Sequence, residues 1–369
     1  MRFKISKERL LKPLQIVSGA VERRHTLPIL GNVLVTADVD GLTLTGTDME
    51  LELVARVPMS VEAPGEVTVP ARKMTDICRA LPPEAEVDFA VKEGRVTIRS
   101  GRSRFNLATL PAKDFPNVEG IVESRSLSVE AARLKRLLEG TLFAMAQQDV
   151  RYYLNGLLVE TGEGRLRAVA TDGHRLALCD MDLPGEEGTE VEQIIIPRKG
   201  VLELARLLGE VSAEVRVGIG SQACRVSAGE IRLATKLVEG RFPEYERVVP
   251  DPEECQRRML ADREALRQSL LRVSILSNDK YRAVRLGFEE QVLRILAHNP
   301  EQEEAEEEVE VEYVGEPLEV GFNVSYLIDA LGAIASERVE FHLMDGNSSC
   351  LIRGVGETEC RYVVMPMRL

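Results

Sequence analysis

The sequence predicts an α+β fold built from three copies of one domain, each with two helices packed on antiparallel sheet. Internal repetition is the main observation, because three segments of the 369-residue chain share one order of features. Pro70 and Pro197 lie 127 residues apart, Phe115 and Phe242 have the same offset, and Asn323 follows Pro197 by 126. This period far exceeds the 20–50 residues of a solenoid repeat, so each copy should have its own core.

The first helix of each copy is predicted from apolar residues at helical spacing. In the first copy these are Leu10, Leu14 and Val17, and Leu134 and Leu138 begin the same pattern in the second copy. Residues 32–53 and 155–178 then alternate apolar and polar side chains across turns at 40–41 and 162–164. That alternation is typical of antiparallel strand pairs.

The start of the second helix is predicted from a proline in the first two copies. Pro70 and Pro197 stand where a proline favours a helix start. One face of the following segment in the second copy is apolar: Val201, Leu204, Ala205 and Leu208. Each copy is therefore expected to run helix, strand pair, strand, helix, strands. Polar links at 119–126 and 250–254 divide the chain into expected domains 1–122, 127–249 and 250–369.

Composition narrows the functional class. Hydrophobic residues make up 44% of the chain, which is enough for a packed core, and the net charge of -13 argues against a bulk polyanion binder. No apolar run approaches a membrane span, and the first residues lack an apolar signal core, so we expect a soluble cytoplasmic protein without membrane contact. The six cysteines form no CxxC pair and are expected to be small buried hydrophobes. The four scattered histidines indicate no metal site, and no cofactor is expected.

The charge is distributed unevenly along the chain. Residues 1–125 sum to +1, residues 126–250 to -3 and residues 251–369 to -11, and eight of the twelve residues 301–312 are Glu. A solvated acidic loop is the ordinary interpretation. However, the stretch 96–110, interpreted as an edge strand, carries Arg99, Arg102 and Arg104 beside apolar Phe105 and Leu107. A basic edge and a distant acidic segment suit a head-to-tail contact that closes into a ring.

Basic residues recur at matching positions of the helices. Arg79 and Arg206 both follow the helix-opening proline by nine residues. Such recurrence in an acidic protein favours helices that face a polyanion, while the sheets face outward. The third copy breaks the pattern, since its second helix holds Asp329 and no basic residue.

Many motifs along the whole chain, in order, resemble the bacterial DNA polymerase III beta subunit, the sliding clamp family. The strings are TLPILGN (26–32), LTGTD (44–48), VPARK (69–73), SGRSRF (100–105), QDVRYYLNG (148–156), ATDGHRLA (170–177), PRKG (197–200), GRFPEY (240–245), NPEQEEAEE (299–307), GFNVSY (321–326) and YVVMPMRL (362–369).

The resemblance implies a processivity factor without catalysis of its own. Two chains would form a homodimeric ring of six domains, whose helices enclose duplex DNA independently of its sequence. The ring would tether the replicative polymerase alpha subunit, and the clamp loader, other polymerases and repair proteins would bind through short peptide motifs.

The resemblance also implies three sets of site residues. DNA contacts are expected from Arg24, Arg72, Lys73, Gln147, Gln148, Tyr152, Tyr153 and Lys199. A pocket for partner peptides, on the face between the second and third domains, is expected from Leu154, Thr171, Gly173, His174, Arg175, Leu176, Pro243, Arg247, Val248, Val363, Val364, Met365, Pro366 and Met367. At the dimer interface, Arg102, Arg104, Phe105 and Leu107 are expected to meet Ile275, Leu276, Glu303, Glu304 and Glu306 of a second copy.

Two other functional classes stay open on the residues alone. An enzyme would use the Asp172/His174 pair, but no GxSxG motif accompanies it, and the same Thr-Asp occurs at 47–48 without a histidine. The repeated Thr-Asp is better explained as turn chemistry. An open scaffold would use the three repeats to bind partners without closing around DNA, and the mass in solution would distinguish it from the dimeric ring.

Overall fold

The computed structural model describes residues 1–22, 27–116, 122–211, 213–278 and 280–368. Arg24, which was expected to contact DNA, lies outside the described residues.

One order of elements, strand–helix–four strands–helix–three strands, occurs three times. The first repeat contains β1 (Arg2–Ser6), α1 (Lys7–Val17), β2 (Asn32–Ala37), β3 (Gly41–Thr47), β4 (Leu51–Pro58), β5 (Gly65–Pro70), α2 (Ala71–Ala80), β6 (Glu86–Lys92), β7 (Arg95–Ser100) and β8 (Ser103–Ala108). The second contains β9 (Glu123–Glu130), α3 (Ala131–Glu139), β10 (Gly156–Gly162), β11 (Arg165–Thr171), β12 (Arg175–Asp182), β13 (Glu192–Pro197), α4 (Arg198–Leu208), β14 (Glu214–Gly220), β15 (Ala223–Ala228) and β16 (Ile231–Lys236). The third contains β17 (Arg257–Asp262), α5 (Arg263–Val273), β18 (Ala283–Phe288), β19 (Val292–His298), β20 (Glu304–Val314), β21 (Leu318–Asn323), α6 (Val324–Ala333), β22 (Arg338–Leu343), β23 (Cys350–Gly354) and β24 (Cys360–Val364).

The repeat is confirmed, but two details of its interior differ from the prediction. Each copy opens with a strand before its first helix, and four strands rather than three separate the two helices. The opening strands are five to eight residues long and end at the residue before the helix. Ser6 ends β1 and also caps α1, because its hydroxyl accepts a hydrogen bond from the Arg9 amide. Strand and helix share this boundary, so no turn signal separates them in the sequence.

The chain forms two compact units, Met1–Leu134 with Lys199–Leu237, and Lys135–Arg198 with Val238–Leu369. The first unit holds a sheet in the order β1-β6-β7-β8 and another in the order β5-β2-β3-β4-β16-β15-β14-β9. The second unit holds a twelve-stranded sheet in the order β13-β10-β11-β12-β24-β23-β22-β17-β20-β19-β18-β21. Because β4 pairs with β16 and β12 pairs with β24, strands of the central repeat extend the sheets of both neighbouring repeats.

The helices bury the faces that their periodicity predicted. Leu10 and Leu14 of α1 are buried, and α1 packs against α2, whose Met74 and Cys78 are buried as well. In α4 the predicted apolar face is buried: Val201, Leu204, Ala205 and Leu208. Burial of a leucine side chain contributes about 1.5–3 kcal/mol, so these faces hold the helices on their sheets.

The repeated Thr-Asp forms the same turn in both copies, as its repetition suggested. Asp172 Oδ1 accepts hydrogen bonds from the amides of His174 and Arg175, and the Thr171 hydroxyl donates to the Arg175 carbonyl. Asp48 and Thr47 make the equivalent bonds between β3 and β4. These side chains satisfy backbone groups of a tight turn, which is the structural role that Asp and Thr commonly have there.

The cysteines correct one prediction. Cys78, Cys224 and Cys350 are free and buried, but Cys179 and Cys360 are joined by a disulfide. The two cysteines lie 181 residues apart and face each other in the register of β12 and β24, with a Cα–Cα distance of 4.1 Å. Gly140, just after α3, leaves room for the sulfur atoms, because a Cβ there would lie 2.8 Å from Cys179 Sγ.

The two segments expected to meet in a dimer also differ from their predicted form. The stretch 96–110 is a hairpin of β7 and β8 rather than one strand, and β8 is the edge of its sheet. Leu107 of β8 is only 8% exposed, so it belongs to the core of its own chain. The acidic run is a strand rather than a loop for most of its length, because β20 pairs with β17 and β19 in the middle of the twelve-stranded sheet.

Candidate functional site

Two of the residues expected to contact DNA are exposed on the surface of α2. The side chain of Arg72 is 89% exposed and lies 3.8 Å from Asp76, and Lys73 beside it is also exposed. An exposed pair of this kind is worth little in free energy, since solvent screens it. The guanidinium of Arg72 and the ammonium of Lys73 can therefore turn toward a phosphate at little cost.

Lys199 has a different environment. Its ammonium forms an ion pair with Asp48, lies 3.2 Å from Glu22 Oε1, and donates to the carbonyl of Ala20 at 3.2 Å. The side chain of Asp48 is only 9% exposed, and this aspartate also holds the turn between β3 and β4. The contacts attach α4 to the first repeat within one unit, so a phosphate would have to compete with two carboxylates for Lys199.

The segment 147–153 presents an aromatic and two amides. Gln147 and Gln148 are exposed, and Tyr152 is 57% exposed. Tyr153 stands edge-on to Tyr152, with ring centroids 5.8 Å apart, and packs partly against the core. Both tyrosines lie in a short 3-10 helix, Tyr152–Asn155, and Tyr152 is the more exposed of the two.

An ion pair shapes this same segment. Arg151 Nη2 lies 2.9 Å from Asp149 Oδ2, and the Arg151 amide also donates to Asp149. These hydrogen bonds lower the pKa of Asp149 to about 2. Asn155 completes the loop, because its side chain donates to the Asp149 carbonyl and accepts from the Asp149 amide. The segment is therefore held by its own side chains.

The residues expected to line the peptide pocket separate into a buried floor and an exposed rim. Leu154, Leu176 and Val363 belong to one apolar cluster, whose other members are Ala146, Leu158, Val169, Leu178, Ile195, Phe242, Tyr245 and Leu351. Val364 is 1% exposed and Thr171 is 9% exposed, so they support the floor rather than offer a surface.

The rim is formed by residues from three segments of the second unit. Val248 is 42% exposed and Met365 is 37% exposed; Gly173, His174, Pro243 and Arg247 are exposed, and Pro366 and Met367 are half-buried. The backbone joins two of these segments, since the Met365 amide donates to the His174 carbonyl at 2.9 Å. Apolar and adaptable side chains around a rigid floor suit the binding of short apolar peptides.

Arg175 contributes more to the structure of this region than to its free surface. Its side chain is 13% exposed; Nε lies 3.1 Å from Asp172 Oδ2 and Nη1 lies 2.5 Å from Asp329 Oδ2. Nη2 donates to the Phe143 carbonyl, and the guanidinium lies 4.6 Å from the ring centre of Tyr326. Asp329 was noticed in the sequence only as an acidic residue in a helix, and Tyr326 was noticed only as part of a motif.

Two further residues of the site received no role in the sequence analysis: Tyr245, which only ended the motif GRFPEY, and Arg167. Tyr245 is 6% exposed; its hydroxyl donates to Glu160 Oε2 at 2.6 Å and accepts from Arg167 Nη1 at 3.2 Å. Burial and the bond to Glu160 raise the pKa of Tyr245 to about 12, so its hydroxyl keeps its proton. The sequence signal for Tyr245 was its place in the motif GRFPEY (240–245), which also contains Phe242.

The expected dimer residues 102–107 belong to the first unit, and those at 275–306 belong to the second. Arg102 is in the turn before β8, Arg104 is exposed on β8, and Phe105 is half-buried beside it. Ile275 is 76% exposed, and Leu276 is half-buried in the same short 3-10 helix. Three glutamates are exposed here: Glu303 directly before β20, and Glu304 and Glu306 at its start. The expected basic and acidic side chains are thus exposed and could contact a second copy, whereas Leu107 is buried within its own chain.

Other kinds of site find no support in the described part of the chain. Within those residues, no group of His, Cys, Asp and Glu is placed to hold a metal ion. Nor does any helix there have the length and apolar character needed to cross a membrane.

Comparison with known proteins identifies the family. Family models match residues 1–119, 128–244 and 247–368 as the N-terminal, central and C-terminal domains of the DNA polymerase III beta subunit. Proteins named beta sliding clamp are 53% identical in Pseudomonas aeruginosa and 50% identical in Escherichia coli strain K12, and each match covers 100% of both chains.

Solved structures agree with this result. The crystal structure of the DNA polymerase III subunit beta from Pseudomonas aeruginosa matches with a TM-score of 0.95 at 53% identity over 100% of both chains. A sliding clamp from the same organism, solved bound to griselimycin, gives the same TM-score, identity and coverage. The predicted α+β fold with three repeated clamp domains is confirmed, as is the role of an accessory factor rather than an enzyme. The chain belongs to the DNA polymerase III beta subunit family, the beta sliding clamps, which are processivity factors for DNA polymerase.

Proposed function

We propose that two copies of this chain close head-to-tail into a ring around duplex DNA and tether the replicative polymerase to its template. The observation that carries the ring is the threefold repeat, in which every copy lays two helices on sheet. The exposed basic side chains on α2 can make weak contacts with phosphates, while the net charge of -13 disfavours tight binding to DNA. Both features suit a ring that is held on DNA by topology. The proposed domains are 1–122, 127–249 and 250–369, and the proposed location is the bacterial cytoplasm.

Retention on DNA tests the ring. The protein is loaded onto nicked circular DNA with its clamp loader and ATP, and its retention is measured before and after the circle is cut. Release on linearisation supports a topological link, because a ring slides off free ends. Equal retention on circular and linear DNA would instead support the open scaffold.

The proposed DNA contacts come from Arg24, Arg72, Lys73, Gln147, Gln148, Tyr152, Tyr153 and Lys199. Lys73 and Arg72 are supported best, since both side chains are exposed and the ion pair of Arg72 with Asp76 is itself exposed. Tyr152 can stack on an unpaired base, while Tyr153 would serve mainly to support its neighbour. The Lys199 proposal is the weakest of these because of its carboxylate partners.

We also propose that the rim around Val248 and Met365 accepts short peptides from the polymerase alpha subunit, the clamp loader, and other polymerases and repair proteins. The half-exposed apolar rim over a buried apolar cluster supports this site. Griselimycin serves as the probe, since a clamp 53% identical to this chain was solved bound to it.

The test compares two apolar-to-charged variants. Val248→Asp should weaken griselimycin binding and block its competition with a polymerase peptide, because a carboxylate would be desolvated in the rim. Val314→Asp is the matched control, since Val314 is 71% exposed on β20 and lies outside the rim. Equal affinity of both variants and the parent chain would contradict the assignment of the pocket.

A further inference from the structure

The segment that follows β16 forms one wall of the proposed pocket without belonging to a strand. Residues 239–249 contain a single short 3-10 helix, Tyr245–Val248. The backbone bonds seen there are local, from the Tyr245 amide to the Pro243 carbonyl and from the Val249 amide to the Glu246 carbonyl. Because no strand ladder fixes this segment, its position depends on its side chains.

Two aromatic side chains anchor the segment in the second unit. Phe242 and Tyr245 are each 6% exposed and both belong to the apolar cluster under the rim. Phe242 can contribute only apolar packing, which has no preferred direction. Tyr245 adds a hydroxyl, and a hydrogen bond does have a preferred direction.

The hydroxyl of Tyr245 forms hydrogen bonds with residues on two neighbouring strands. Its acceptor Glu160 lies on β10 and its donor Arg167 lies opposite on β11, where the two residues are partners in the register. Both side chains are buried, with 8% and 7% exposure. Gln193 donates to the other oxygen of Glu160 at 2.6 Å, so that carboxylate cannot turn freely.

Arg167 is itself held from behind. Its Nε and Nη2 donate to Asp180 at 2.5 and 3.0 Å, and Arg361 of β24 donates to the same carboxylate at 2.7 Å. Arg167 Nη1 also lies 3.6 Å from Glu246, within the 3-10 helix. A charged network of this kind, partly buried in the sheet, is stiff because each member is fixed by another.

The 3-10 helix passes this constraint on to the rim. Residues three apart lie on the same side of such a helix, so Val248 and Tyr245 share one face of this turn. A second tether acts at the far end, where the Ser349 hydroxyl donates to the Val248 carbonyl at 3.0 Å. Arg247, next to Val248, is exposed and pairs with Glu244, and no strand of the sheet holds it.

We propose that Tyr245 is a positioning residue for peptide binding, whose hydroxyl holds the wall formed by Arg247 and Val248 through Glu160 and Arg167. The inference rests on the proposed peptide pocket. In this account the Tyr245 hydroxyl fixes one wall of the pocket from below, without contacting the bound peptide. Loss of the hydroxyl should leave the apolar cluster intact but let the wall move, so bound peptides would dissociate faster.

The test uses Tyr245→Phe in the full-length chain, with griselimycin as the probe. The substitution keeps the ring and removes one buried hydroxyl, and we expect roughly tenfold weaker binding, mostly from faster dissociation. Tyr313→Phe is the matched control, because Tyr313 is 5% exposed and its hydroxyl donates to the Glu316 carbonyl at 2.6 Å, away from the rim. Equal losses in the two variants would overturn the proposal.

A double-mutant cycle separates positioning from general destabilisation. In a Val248→Ala background the wall is already truncated, so Tyr245→Phe should have almost no further effect on affinity. Fully additive losses would mean that Tyr245 does not act through Val248. If Tyr245→Phe does not fold, Glu160→Gln provides the second approach. Tyr245 and Gln193 donate to different oxygens of Glu160, and a glutamine there would put an NH2 group, which cannot accept, in place of one of them, so the same loss is expected.

The outcomes distinguish a failure of the positioning role of Tyr245 from a failure of the proposed peptide pocket. If Val248→Ala weakens griselimycin binding and Tyr245→Phe does not, the pocket stands and the positioning role is wrong. If Val248→Ala also leaves the affinity unchanged, the pocket itself is wrong, and the role of Tyr245 fails with it.

Discussion

Arg175 of the central repeat forms an ion pair with Asp329 of the third repeat, with 2.5 Å between Nη1 and Oδ2. The same guanidinium binds Asp172 and the Phe143 carbonyl, so one nearly buried side chain joins two turns and a helix. A residue expected to line a pocket therefore also joins two repeats within one unit.

Removing the cation should cost more stability than removing its outer partner. Arg175→Ala leaves Asp172, whose side chain is 18% exposed, without its cation, and we expect a loss of about 3 kcal/mol. Asp329→Ala leaves Arg175 paired with Asp172, and Asp329 is 43% exposed, so the loss should be below about 1 kcal/mol. Thermal unfolding of the two variants measures the difference, and equal shifts in Tm would contradict this account.

Lys73 and Lys199 should separate DNA contact from stability. Lys73→Ala should weaken DNA binding and reduce its salt dependence with Tm unchanged, because the lysine is exposed on α2. Lys199→Ala should lower stability by about 1–3 kcal/mol, since it leaves the nearly buried Asp48 without its cation. Binding to DNA across a salt series and thermal unfolding are measured for both. A Lys199→Ala variant with weaker DNA binding and unchanged Tm would show that Lys199 contributes to DNA binding rather than to stability.

The loop before Tyr152 should respond to acid only at very low pH. Hydrogen bonds from Arg151 lower the pKa of Asp149 from the ordinary 3.8 to about 2. The carboxylate thus favours the folded loop above pH 3.8, and this contribution disappears as the pH falls toward 2. Titration of the carboxyl by NMR should show the low value, and Arg151→Gln should return it toward 3.8. An ordinary pKa in the parent chain would contradict the ion pair.

Charge reversal at the edge strand tests the proposed dimer. Arg104→Glu should weaken the dimer roughly tenfold or more, because a carboxylate would then face the glutamates of a second copy. Added salt should restore part of the loss by screening the repulsion. Arg56→Glu is the control, since Arg56 is an exposed arginine on β4, away from that edge. Sedimentation equilibrium gives the dissociation constants, and similar values for both variants would place the interface elsewhere.

The disulfide predicts a count of reactive thiols. Denatured without reductant, the chain should bind an alkylating reagent at Cys78, Cys224, Cys255 and Cys350 only, and with reductant at all six cysteines. Reduction should also lower Tm, because a link between residues 181 apart restricts the unfolded chain. Mass spectrometry of the alkylated protein counts the thiols. Six labelled cysteines before reduction would mean that the two thiols are free in solution.

Much of the architecture follows from local patterns. Apolar spacing is a local signal in the sequence, and so are the helix-opening prolines and Thr-Asp turns of the first two copies. Pro70 lies directly before α2, and Thr171 with Asp172 closes the turn before β12, as their neighbours in the sequence indicated. The family resemblance, carried by motifs along the whole chain, is likewise visible in the sequence without the structure.

Tertiary structure decided which distant residues meet. Nothing local distinguishes Cys179 and Cys360 from the other cysteines until the register of β12 and β24 sets them opposite each other. The structural role of Lys199 was not predicted for the same reason, since its two carboxylate partners lie more than 150 residues earlier, Asp48 in the turn before β4 and Glu22 in the segment after α1. Periodicity reports which face of an element is buried. The choice of partner depends on strand register and on charges brought together by folding, which no window of the sequence contains.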